Sequence, residues 1–231
     1  MNYTLCECGF QPGRFVYRDR NLDMQHNFWY YPPTERSVGG YPVTRDEILE
    51  AATQIFGQKG FHATSMQDIA EAVNLQKASL YYHISSKQEI LVEVLDRAID
   101  LLIERMQEVM ASPLPSDKKL RRAMQVYLCS LLEHRDVAAV LLMEHRSLEP
   151  ELLARHIPRR DRFEALWRDL LQEGVSNQVF FCEDPALASR AILGVINWAI
   201  TWYRPDGSLS AEMIANQFTD LFLRGLLIRS N

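Results

Sequence analysis

From Thr44 onward, apolar positions recur at three- and four-residue intervals and no stretch alternates with period two, so the pattern predicts an all-α protein. Ile48, Leu49, Ala52, Ile55 and Phe56 share one face of a first helix, opened by Thr44 with Glu47 at the capping-box position and closed by Gly60. Thr64, paired with Gln67 in the same way, predicts the start of a short second helix with Ile69, Ala70 and Val73 on its apolar face. Asn74 suits a left-handed turn, and a third short helix over 76–83 follows so soon that it must cross the second steeply, which is how a helix-turn-helix is built. Ser85 with Gln88, overlapped by Ser86 with Glu89, opens a fourth helix that carries Ile90, Leu91, Val94, Leu95, Ala98 and Leu102 to about Met110. Further helices are predicted near 117–133, 136–146, 150–173, 184–203 and 210–228. Pro150, Pro158, Pro185 and Pro205 fall near their boundaries, and a longer loop is expected from Gly174 to Glu183.

Residues 1–43 read differently. They hold nine aromatic residues, Pro12, Pro32, Pro33, Pro42 and the pair Gly39-Gly40 without any apolar period, so a poorly ordered extension is expected there. Both a functional arm and a start assigned upstream of the native one fit that composition. The pair Cys6 and Cys8 has no second Cys or His pair nearby to complete a tetrahedral site, and no metal is expected.

Composition narrows the function classes. Hydrophobic residues make up 47% of the chain and charged residues 24%, ordinary values for a folded globular protein. Four cysteines without a CxxC unit, and an opening without a basic-then-apolar leader, fit a reducing cytoplasm. The apolar run Ala191 to Tyr203 is well short of the ~20 residues that cross a bilayer, so no membrane partner is expected. No HExxH, GxSxG, P-loop or dinucleotide fingerprint occurs. The adjacent pairs Glu133-His134 and Glu144-His145 point to different sides of a helix, so neither a catalytic site nor a cofactor is expected. Net charge is −5, and residues 44–90 carry four basic against six acidic groups, so any nucleic-acid contact must come from a local patch and oriented backbone dipoles.

One stretch is specific. The elements Gly60-Phe61, Thr64-Ser65, Ile69-Ala70, Leu80-Tyr81-Tyr82-His83-Ile84 and Ser86-Lys87 closely resemble the DNA-binding pattern of the TetR family of repressors. The sequence departs from the commonest form of that pattern at Asn74, Gln76, Ala78 and Ile84, of which Gln76 and Ala78 bear on operator preference. The resemblance implies a three-helix DNA-binding domain over 44–90, joined to a ligand-binding and dimerisation domain over 91–231.

The third helix is then the one that enters a major groove. Gln76, Lys77 and Ser79 near its start are the candidate base readers, since lysine donates to guanine and glutamine pairs with adenine. Thr64, Tyr81, Tyr82, His83 and Lys87 match family positions that touch the DNA backbone. With so few basic residues a monomer should bind weakly, and a homodimer reading two half-sites of double-stranded operator DNA restores affinity through avidity.

The apolar faces of the last two helices, Ala188, Ala191, Ile192, Val195, Ile196 and Ala199, then Ile214, Phe218, Leu221, Phe222 and Gly225, resemble the family's two-fold dimer contact. The segment from Trp202 to Ser210 is similar to regulators that respond to acyl-CoA or related lipid breakdown intermediates. A small-molecule effector is therefore expected within the body, with Met106, Tyr127, Leu131, Leu142, Phe163, Trp167, Trp198 and Trp202 as candidate pocket residues. The run Arg155, His156, Arg159, Arg160 and Arg162 is a candidate for the phosphates of such a ligand, against its reading as a solvated helix face. Two other readings remain at this point: a helical interaction module that no longer binds DNA, and a small helical enzyme.

Overall fold

The computed structural model describes residues 43–227, and among these the secondary structure is helical apart from one isolated antiparallel bridge between Phe180 and Leu227. The extension, its Cys6 and Cys8, and the chain end beyond Leu227 lie outside the described residues. The helices are α1 (Arg45–Lys59), α2 (Met66–Ala72), α3 (Lys77–His83), α4 (Lys87–Ala111), α5 (Ser116–Glu133), α6 (Arg135–Met143), α7 (Pro150–Ser176), α8 (Pro185–Trp202) and α9 (Ala211–Leu226), with a 3₁₀ turn over Glu144–Ser147.

The helix starts follow local chemistry. The Thr44 hydroxyl accepts from the Glu47 N–H, and the Glu47 carboxylate accepts from the Thr44 N–H at 2.7 Å, so α1 begins in a full capping box. It ends at Gly60, whose φ of 81° is a backbone conformation that side chains rarely adopt. The box of α2 sits one residue later than expected. Ser65 caps the helix and Asp68 accepts from the Ser65 N–H at 2.6 Å, because the Thr64 hydroxyl turns inward and donates to the Gly60 carbonyl at 2.8 Å. Asn74, at φ 55°, makes the left-handed turn into α3.

The body is built on two long helices. α4 and α7 make the most extensive pairing, α5 lies along α9, and α1 packs on α6. Leu91, Leu95, Leu120, Trp167, Leu170, Leu171, Ile192 and Ile196 are fully buried, and each such side chain contributes about 1.5–3 kcal/mol through its burial.

Pro158, expected near a boundary, lies inside α7. Its ring forfeits one backbone hydrogen bond, yet the helix continues because His156, Phe163, Trp167, Leu170 and Leu171 bury its inner face on both sides of the proline. The loop expected from Gly174 begins later, since α7 runs on to Ser176. A Cβ at Gly174 would meet the Phe180 ring at 2.1 Å, so this glycine lets Phe180 fold back against α7. α1 and α6 approach in a similar way, for a Cβ at Gly57 would stand 2.9 Å from that of Asp136.

Candidate nucleic-acid interface and effector cavity

α3 is a seven-residue helix held from beneath. Leu80 is fully buried, as are Ile69, Ala70 and Ile84, whereas Gln76, Lys77, Tyr81 and Tyr82 are exposed and Ser79 and His83 are half-buried. Tyr82 is 91% exposed, an orientation that burial does not explain for so large a ring. Gln76 stands at the N-cap and makes no side-chain cap bond. Of the seven residues of α3, only Leu80 is buried, so the helix offers most of its circumference to a partner.

Two of the residues expected to touch phosphates do something else. Thr64 is 2% exposed, and its hydroxyl is committed to Gly60. The Lys87 ammonium donates to the carbonyls of Phe61 and Thr64 at 2.8 and 2.6 Å and lies 4.3 Å over the Phe61 ring. It staples the α1–α2 corner to the start of α4, and partial burial pushes its pKa down. Both therefore shape the domain from inside.

Arg45 is a functional residue that no motif marks. Its guanidinium donates to the His83 carbonyl at the C-terminus of α3, where unpaired carbonyls and the helix dipole favour a cation. It also bonds Glu89 and Glu93 of α4, each at 2.6 Å, and these two carboxylates push its pKa up. Glu89 is held down at about 2, first by the Ser85 hydroxyl and then by Arg45. One side chain thus ties α1 and α4 to the end of α3, and its partners lie too far along the chain for any local pattern to reveal.

Within the body, Met106, Tyr127, Phe163 and Trp167 line one cavity of about 10 Å³, together with Leu102, Val109 and Arg105. Tyr127 and Phe163 meet edge to face at 5.1 Å, and Trp167 stands 5.8 Å from the Tyr127 ring. The remaining pocket candidates are elsewhere. Leu131 is buried and Leu142 half-buried, both outside the lining. Trp198 is 66% exposed because Ile192, Ile196 and Ala199 take the inward face of α8. Trp202, also exposed, packs its edge on Phe218 of α9.

The basic run on α7 does not form one patch. His156 is fully buried with Nδ1 2.7 Å from Asp96, and Arg159 pairs with Asp96 and Asp100, each at 3.2 Å. Arg155 and Arg159 border a cleft that also carries Glu89, Glu93, Asp96 and Asp100, whose charges oppose an anionic ligand. Among the described residues no cluster of His, Cys, Asp or Glu is arranged to hold a metal, and no helix is long and apolar enough to cross a membrane. On the outer faces of α8 and α9, Leu187, Trp198, Met213 and Leu221 are exposed, and Gly194 and Gly225 have open space above them.

Comparison with known proteins agrees with this geometry. Residues 48–94 match the family described as bacterial regulatory proteins, tetR family, and residues 113–226 match the tetracyclin repressor-like C-terminal domain. The transcriptional repressor KstR2 of Mycolicibacterium smegmatis is 30% identical over 192 residues, covering 79% of this chain and 90% of its own. Among solved structures, the TetR family regulator PfmR from Thermus thermophilus superposes with a TM-score of 0.72 at 41% identity, over 77% of this chain and 97% of that one. AibR in complex with isovaleryl coenzyme A and operator DNA gives 0.72 at 26% identity, over 77% and 96%. With a helix-turn-helix and a helical body each matched in order, and relatives that are regulators and not enzymes, the chain belongs to the TetR family of transcriptional regulators.

Proposed function

We propose that this chain is a homodimeric repressor whose paired α3 helices hold operator DNA and whose body releases that DNA when a small molecule, of the acyl-CoA class, enters the cavity between α4, α5 and α7. The observation that carries the reading is α3 itself: Leu80 anchors it while Lys77, Tyr81 and Tyr82 stand in solvent. Base contact falls to Gln76, Lys77 and Ser79, and backbone contact to Tyr81, Tyr82 and His83. The exposed apolar stripe on α8 and α9 supports a two-fold contact between copies, with the open glycines allowing close approach. The acyl-CoA class is supported by the apolar, aromatic-lined cavity and by AibR, a relative solved with isovaleryl coenzyme A.

Release works as a shift between two states. α4 begins at the DNA-binding helices and lines the cavity at Leu102 and Met106, so a change in its packing alters the spacing of the two α3 helices. The effector must bind the released state more tightly, with a coupling of about 1–3 kcal/mol typical of such switches. A mobility-shift titration with DNA from the intergenic region flanking the gene tests the reading. A retarded band that survives unrelated competitor DNA is expected, and its absence at low salt from a folded dimer would overturn it.

A further inference from the structure

Two of the residues that line the cavity carry side-chain donors without a full set of acceptors. Arg105 of α4 donates one N–H to the Ser130 hydroxyl at 2.5 Å, and the Ser130 hydroxyl donates its O–H to the Val126 carbonyl at 2.7 Å. A guanidinium carries five donors, and the bond to Ser130 uses one of them. Glu133, Glu108 and Glu104 act on it only at longer range, while burial disfavours its charge. The second is Trp167, which is fully buried with an indole N–H that meets no acceptor. A buried donor without a partner is costly and rare in native proteins, and calls for an acceptor. The other nearby polar group is already engaged, since the Tyr127 hydroxyl donates to Asn197 at 2.7 Å.

We infer that Arg105 and the Trp167 N–H are the polar anchors of the effector site, and that the effector is a mostly apolar molecule presenting an oxygen acceptor to them, a carboxylate or a thioester carbonyl. This rests on the reading of the cavity as the effector site. A volume of about 10 Å³ has room for roughly one water, so an acyl ligand enters only if the walls move apart. Met106, unbranched and with several rotatable bonds, lies on the wall next to Arg105 and is suited to move aside. Its displacement acts directly on α4, the helix that begins beside the DNA-binding elements.

Calorimetric titration of the full-length protein with octanoate, octanoyl-CoA and octylamine tests the assignment. At least one of the two acyl compounds should bind and octylamine should not, because a cation meets only donors. Arg105→Met and Trp167→Phe should each weaken acyl binding by about tenfold or more, the loss expected for a hydrogen bond to a charged or buried group. Binding of octanoate identifies a free carboxylate, and binding of octanoyl-CoA alone identifies the thioester. Octylamine binding as tightly as octanoate, wild-type affinity in both variants, or no binding by either acyl compound would overturn the inference. If Arg105→Met fails to fold, Trp167→Phe, which keeps the ring and removes only the donor, carries the test. Acyl binding that requires both residues yet leaves operator-bound protein on its DNA would instead contradict the wider reading and leave the anchors standing.

Discussion

The Glu144 carboxylate accepts the backbone N–H of Phe61 at 3.0 Å, joining the 3₁₀ turn after α6 to the corner between α1 and α2. The same carboxylate accepts from Ser147 at 2.8 Å, and the Gln88 side chain spans from the Ser147 carbonyl to the Glu149 N–H. The DNA-binding helices are thus latched to the body by directional bonds as well as by packing. Glu144→Ala should leave the Phe61 donor unpaired and cost about 1–3 kcal/mol in urea unfolding, with Glu144→Gln milder because an amide oxygen still accepts. The alanine variant should also lose part of the link between effector and operator, read as effector affinity measured with and without DNA.

A second contact between the same regions is steric. A methyl group at Gly57 would stand 2.9 Å from the Asp136 Cβ and 3.0 Å from its Cα, atoms of the α6 backbone region that cannot rotate away. Gly57→Ala should therefore destabilise the fold by about 1–3 kcal/mol, despite the better helix propensity of alanine. Thermal melting of the variant beside the wild type checks this, a lowered midpoint being expected.

The exposed side chains of α3 should act on DNA and not on the fold. Lys77→Ala and Tyr82→Ala should leave the urea midpoint within about 0.5 kcal/mol of wild type. Loss of Lys77 should cost about 1–3 kcal/mol of operator affinity and relax discrimination at one base pair, whereas loss of a phosphate contact from Tyr82 should weaken binding to all sequences alike. Arg45→Met should lower operator affinity without touching DNA, because the His83 carbonyl loses the cation that holds the end of α3.

Acidification should lower the protein's stability over two pH windows. Burial, with Arg105 adding to it, pushes His134 down to about 4, so the fold keeps this ring neutral where the unfolded chain, near 6.5, takes up a proton. Its contribution is complete above pH 6.5 and is lost as pH falls toward 4. Glu89, held at about 2 by Ser85 and Arg45, contributes above its ordinary carboxylate value and loses that contribution between roughly pH 4.5 and 2. Melting curves from pH 7 to pH 3 should show both, and His134→Gln should shrink the first loss, leaving the part that comes from His145, whose pKa burial also pushes down.

Leu221 on α9 is 68% exposed beside the open face at Gly225. Leu221→Glu should convert the dimer to a folded monomer in sedimentation velocity, with helicity retained, since the side chain contributes little to its own protomer's core.

Much of the molecule was legible because its signals are local. Thr44 with Glu47, the glycine stop at Gly60 and the left-handed Asn74 each declare themselves within a few residues, as does the motif around Leu80 and Tyr82. The misreadings are non-local. Thr64 and Ser65 are neighbouring hydroxyls, and only the packing of Gly60 decides which one turns inward. Trp198 and Trp167 look alike in an apolar run, and the neighbours across α5 and α7 decide that one faces out and the other lines the cavity. Arg45 and Arg105 carry no local signal, because only the fold brings His83 to the first and the cavity to the second.

Hydroxyl-radical footprinting of the protein on the intergenic DNA beside its gene tests the central claim most directly. Two protected half-sites about one helical turn apart, roughly 34–36 Å, with protection lost in Leu221→Glu, are the predicted result. A folded wild-type dimer that protects no discrete site, or a single half-site protected equally by dimer and monomer, would contradict it.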